Sequence, residues 1–182
     1  EYTPPKTDGS GQNRTNLRTA KKLLVEAGWQ VVNGALQHTE TGEVMHIEFL
    51  LGSSTYERIL GPFVQNLERL GAKATIRTVD SAQYQNRIKD FDYDIIAASW
   101  GQTLSPGNEQ RNFWSSKASQ SAGSRNYAGI EDPVIDELIE LQIAASDRPT
   151  QVAITRALDR ILLWGHYVIP GSHSRSYRMD YG

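Results

Sequence analysis

The sequence predicts an α/β layered domain, and three observations carry that expectation. Residues 93–98 (Tyr93, Asp94, Ile95, Ile96, Ala97, Ala98) form a near-continuous apolar run, the pattern of a strand covered on both faces. Stretches of helical period alternate with stretches of period two along the first half of the chain. Glycines stand where two of the helical stretches should end, at Gly28 and Gly71. Helix and strand alternating around a buried strand is the order that builds layered α/β domains.

Each element follows from its own residues. Over 13–27, Leu17, Ala20, Leu24 and Ala27 recur at spacings of three and four, with Asn13 able to cap and Gly28 to terminate. The runs 31–38 and 44–51 flank the turn-rich Thr39-Glu40-Thr41-Gly42-Glu43 and predict a hairpin, with Met45, Ile47, Phe49 and Leu51 on its buried face. A helix over 54–70 should turn Ile59, Leu60, Phe63, Leu67 and Leu70 inward. Pro62 costs a helix interior about 3 kcal/mol, so a kink or a late start is expected there. A strand over 73–79 and a short helix over 82–89, carrying Tyr84 and Ile88, lead to 93–98, the expected centre of a mixed sheet. Residues 100–127 form a long, polar stretch punctuated by Gly and Pro, with only 112–116 helical in pattern; loops of that length are usually functional or disordered. Helices over 133–145 and 149–164 begin with Pro133 and Pro149, and the strand-like 167–170 closes the core.

Composition narrows function by exclusion. The 182 residues suit one domain, and 38% hydrophobic with 22% charged residues excludes a disordered tail or a fibrous repeat. A net charge of −2 offers no basic surface for nucleic acid or an anionic membrane. No apolar run approaches the roughly 18 residues that span a bilayer, so no direct membrane insertion is expected. With no cysteine, disulfides, thiolate nucleophiles and Cys-based zinc sites are excluded. Residues 1–13 read as a linker, and the final residues carry no terminal helix, so the chain is expected to be a piece of a longer protein.

The search for catalytic chemistry finds no nucleophile elbow, P-loop, His-Glu-x-x-His helix or complete dinucleotide fingerprint; Gly9-Ser10-Gly11 follows no strand. His38 and His46 flank a turn without further ligands and read as surface residues. His166 and His173 read as packing residues beside the last run. Asp90, Asp92 and Asp94 lack the Gly and distal Glu of a cation loop and read as a solvated helix end and a residue leading into a strand. No catalytic residue, metal or cofactor is expected, and the chain is not read as an enzyme. The segment 99–114 is the remaining candidate. It leaves the carboxyl end of the apolar run, where open α/β sheets bind ligands, and it combines Trp100 with short polar side chains. Trp100 and Trp114 have a second reading, as anchors packed beneath a long loop.

The order helix, hairpin, helix, strand, then FDYDIIAASWGQTLSPGNEQRNFW, NYAGIEDPVIDELIE and RALDRILLWGHYVIP, resembles the C-terminal lobe of periplasmic solute-binding proteins of peptide ABC transporters, solute-binding protein family 5. The opening DGSGQNRTNLRTAKKLLVEAGW and the stretch SPGNEQRNFWSS are similar to the Yej-type branch, which takes oligopeptides and microcin C. The resemblance implies a periplasmic-binding-protein-like (type II) lobe, with a mixed sheet flanked by helices, from a two-lobe protein. It implies 1–13 as a linker from the preceding lobe, 14–174 as the ligand-binding lobe and 175–182 as a segment returning to the other lobe, which places the two termini near each other. It also implies capture of an oligopeptide or peptide-like ligand in the periplasm and delivery to an inner-membrane ABC permease. Many members carry an acid three positions after the Trp, pairing with the peptide amino terminus; here that position is Thr103, and Glu109 is the nearest acid.

The expected half-cleft is Trp100, Gly101, Gln102, Thr103 and Ser105, with Asn126 and Tyr127 as neighbours. Trp100 would supply a flat apolar wall, Gly101 close backbone approach, and the polar residues reorientable hydrogen bonds. Two other readings of the same lobe are a ligand-sensing domain of a regulator and a stand-alone α/β hydrolytic enzyme.

Overall fold

A computed structural model describes residues 3–11 and 13–171, and its chain divides into two compact units, Thr3–Gly101 and the residues from Gln102 on. The expectation of one lobe over 14–174 did not contain that division. Residues 175–182, His173 and the relative position of the termini lie outside the described residues. Residues 3–8 carry no helix or strand.

In the first unit, α1 (Arg14–Glu26) stops at Gly28, which adopts φ +86°, while Asn13 sits at the N-cap without a side-chain bond. β1 (Trp29–Val32) and β2 (Ala35–His38) pair antiparallel across Asn33 and Gly34, both at positive φ, 50° and 83°. Two such residues make the tight turn whose twist suits a hairpin. The expected hairpin between 31–38 and 44–51 is therefore corrected: the hairpin lies within 29–38, and Val44 adds only an isolated bridge to Gln37.

β3 (His46–Leu51) belongs to a separate sheet and is its centre, parallel to β4 (Lys73–Thr78) on one side and β5 (Ile95–Ile96) on the other. Phe49, Leu50 and Leu51 are buried there. The run 93–98 is not the central strand. Only Ile95 and Ile96 pair, they lie at an edge, and both are half-buried. Just before them the Asp94 carboxylate accepts the Glu48 N–H at 2.8 Å, taking up a donor that a longer β5 would have used. Strands of both senses are present, divided between the two sheets.

A 3₁₀ turn (Ser54–Tyr56) delays α2 (Glu57–Arg69), and Pro62 lies in its second turn, where the Arg58 carbonyl loses its helical donor. Phe63 packs edge-on against Phe49 at 5.8 Å, but Ile59 is 66% exposed, so its expected inward position is corrected. Asp80 caps α3 (Ser81–Lys89) by accepting the N–H groups of Ala82 and Gln83, each at 2.9 Å. From α3, Tyr84 lies against Gly52 so closely that a Cβ there would meet its ring at 2.8 Å, and its hydroxyl donates to the Ala97 carbonyl at 3.5 Å. Arg87 joins Glu48 at 2.9 Å to Asp92 at 2.8 Å. The three aspartates are thus a helix C-cap (Asp90), an ion-pair partner (Asp92) and a strand-edge acceptor (Asp94).

The second unit is helical: α4 (Glu109–Trp114), α5 (Ser116–Ser119), α6 (Pro133–Ala144) and α7 (Arg148–Trp164). Its core gathers Phe113, Trp114, Ala118, Ile130, Ile135, Ile139 and Leu158. The helical pattern at 112–116 begins earlier, at Glu109, and breaks at Ser115, whose extended backbone and hydroxyl cap α5. Asp132 and Asp147 cap α6 and α7, each followed by its first-turn proline. Residues 167–170 pair with no strand among the described residues and Ile169 is exposed, so they do not close the core.

Candidate functional site

Trp100 and Gly101 end the first unit. Trp100 is half-buried, and a Cβ built at Gly101 meets nothing within 4 Å, so the backbone there is open to approach. In the second unit the chain runs through 102–108 into α4. Thr103 Oγ1 accepts the Ser105 N–H at 3.3 Å, closing a short side-chain turn. Gln102 Oε1 accepts from Gln110 Nε2 at 2.8 Å, and Gln110 Oε1 accepts from the Trp114 indole at 3.1 Å. A relay of amides thus ties the exposed start of the loop to a buried tryptophan.

Glu109, the acid nearest Thr103, is turned onto its own loop: its Oε1 accepts the Gly107 N–H at 2.8 Å and Gln110 Nε2 at 3.2 Å. Its carboxyl is held below the usual carboxylate range, first by the Gly107 N–H, against an opposing effect of desolvation. From the other side, Arg148 donates to the Leu104 carbonyl and to Gln151 Oε1 at 2.8 Å, while Gln151 Nε2 donates to the Pro106 carbonyl at 3.2 Å.

Between this loop and α7 lies an open cavity of about 490 Å³. Gln102, Thr103, Leu104 and Pro106 line it from the loop, Gln110 and Trp114 from α4, and Gln142 from α6. The α7 wall carries Arg148, Val152, Thr155, Leu158 and Leu162, with Arg156 and Asp159 one turn apart. Gln142 donates to Thr155 Oγ1 at 2.7 Å, and Thr155 donates on to the Gln151 carbonyl at 2.8 Å, while Gln142 Oε1 is buried without a hydrogen-bond partner. Apolar floor, convergent amides and charges of both signs make a surface for holding a polar chain of mixed character. No group of three His, Asp or Glu residues that could hold a metal occurs among the described residues.

Of the residues expected from sequence, Gln102 and Thr103 line the cavity, and Ser105 is exposed on the same loop. Tyr127 is half-buried. Asn126 is corrected. It is fully buried, donating to the Ser115 carbonyl at 3.0 Å and the Ile130 carbonyl at 2.9 Å and accepting the Ile130 N–H at 2.9 Å. Both amide hydrogens and one acceptor position of the oxygen are taken by backbone, so it staples a loop, and its complete burial leaves no surface for a ligand. Trp114 is buried as an anchor and also lines the cavity. Gln110, Gln142 and Thr155 were missed. The available signal was Gln142 at the buried register of Ile135 and Ile139, a polar residue on an apolar face.

The fold is that of solute-binding proteins. The oligopeptide-binding protein AppA of Bacillus subtilis, solved with a nonapeptide, superposes with a TM-score of 0.69 at 20% identity, over 80% of this chain and 29% of that one. Residues 1–122 match the bacterial extracellular solute-binding proteins, family 5 Middle, and the chain belongs to that family. It is 50% identical over 169 residues to the uncharacterized protein y4wM of Sinorhizobium fredii, covering 93% of this chain and 26% of that protein. It is 46% identical over 170 residues to the probable peptide-binding protein YejA of Agrobacterium fabrum, covering 93% and 28%. The chain therefore spans about a quarter of the length of the curated relatives it matches.

Proposed function

We propose that this chain is part of the solute-binding component of an ABC importer, capturing oligopeptides or peptide-like compounds in the periplasm for an inner-membrane permease. The observation that carries the reading is the cavity edged by the 102–106 loop, with its amide relay from Gln102 to Trp114. Trp100, Gly101, Gln102, Thr103 and Ser105 form this chain's side of the cleft, with Tyr127 at its margin. Short hydroxyl and amide side chains bond peptide main chain without selecting its side groups, which fits a binder of varied peptides. The probable peptide-binding protein among the relatives supports the ligand class. In this reading the protein binds and releases its ligand unchanged.

The test is calorimetry on the full-length protein with penta-alanine and a mixed-sequence nonapeptide. Trp100→Ala should weaken binding by about tenfold, or about 1.4 kcal/mol, whereas the exposed Lys73→Ala should leave it unchanged. Unchanged affinity in Trp100→Ala would place the cleft elsewhere.

A further inference from the structure

The 102–106 loop is held from outside its own sequence at two alternate carbonyls. Arg148 takes the carbonyl of Leu104, Gln151 takes that of Pro106, and Arg148 Nη1 also donates to Gln151 Oε1 at 2.8 Å. These residues open α7, whose start is itself fixed: the two carboxylate oxygens of Asp147 accept the N–H and the hydroxyl of Thr150, both at 2.9 Å. On the same loop the side chains of Gln102, Thr103, Leu104 and Ser105 are exposed, and Leu104 reaches 87%. A leucine held that far into water on a pinned loop forgoes its burial free energy until something apolar covers it.

We propose that the first turn of α7 is a clamp that sets this loop for ligand binding, with Arg148 and Gln151 as positioning residues and Leu104 as the apolar contact they present. The proposal rests on the peptide-binding reading above. A loop fixed before the ligand arrives spares the complex the entropy of ordering it, so loosening the clamp weakens binding and frees the loop together. Arg148 also lines the cavity, whereas Gln151 does not, so Gln151→Ala loosens the loop without removing a cavity-lining side chain.

The experiment uses the full-length protein, penta-alanine and a nonapeptide rich in leucine. It measures Kd by calorimetry and backbone amide exchange over 102–107 without ligand. Arg148→Ala should raise Kd about five- to tenfold and speed loop exchange. Arg148→Lys, which keeps one donor for the Leu104 carbonyl, should restore part of both. Leu104→Ser should weaken the leucine-rich peptide more than penta-alanine and leave exchange unchanged. Wild-type Kd in Arg148→Ala, or weakened binding with unchanged loop exchange, would overturn the clamp. Should Arg148→Ala fail to fold, Gln151→Ala breaks the Pro106 arm and is read the same way. A wild-type protein that binds neither peptide overturns the peptide reading and the binding role with it, while amide exchange still decides whether these residues hold the loop.

Discussion

Asn126 and Glu109 are polar side chains that close the backbone of their own loops. Removing the Asn126 amide leaves the N–H of Ile130 and the carbonyls of Ser115 and Ile130 without that partner in a buried place. Unsatisfied buried groups cost about 1–3 kcal/mol each, so Asn126→Ala should destabilise the second unit by about 3 kcal/mol. The check is a thermal melt, in which an unchanged melting temperature would contradict the staple. Glu109 makes a pH prediction. Its carboxyl sits below the usual range because the Gly107 N–H favours the ionised form. A depressed carboxyl stabilises the folded state above its unfolded pKa, about 4.3, and loses that contribution as pH falls through the folded value. Stability should therefore fall on acidification below about pH 4, and Glu109→Gln should flatten that part of the profile. Melts between pH 6 and pH 3 measure it.

Among the elements, the helices were legible because their evidence is local. Periods of three and four, Pro133 and Pro149 in the first turn, and Gly28 after the last turn all lie within the helix or beside it. The sheet was less legible because alternation shows that a strand is half-covered and says nothing of its partner. β3 reads the same whether it closes a hairpin or stands between two parallel neighbours, and the Asn33-Gly34 pair that marks the hairpin lies inside a run taken as one strand. The site divides in the same way. The loop after the apolar run was visible in composition, whereas Arg148, 44 residues beyond Leu104, became its neighbour only on folding. The order of the sheet also moves the sensitive position. Leu50, with no exposure in the central β3, should not tolerate Asp, since an unpaired buried charge costs several kcal/mol. Ile95→Asp, half-buried at an edge, should cost clearly less. Urea unfolding of both variants checks the order; equal losses would return 93–98 to the centre of the sheet.

At the scale of the molecule, the 182 residues supply one side of a proposed cleft, within a span of about a quarter of their curated relatives. The cavity beside the 102–106 loop is open rather than enclosed, and an open surface excludes water poorly, so its hydrogen bonds gain little over those to solvent. Two surfaces that close together desolvate a ligand on both faces, and affinity should rise steeply once both are present. The most direct measurement is the affinity of one nonapeptide for the full-length protein and for the isolated 182 residues, by calorimetry under the same conditions. Two-sided capture predicts binding to the full-length protein at least about a hundredfold tighter, with the isolated chain binding weakly or not at all. Equal, tight binding by the isolated 182 residues would contradict it, because the site would then be complete within this chain.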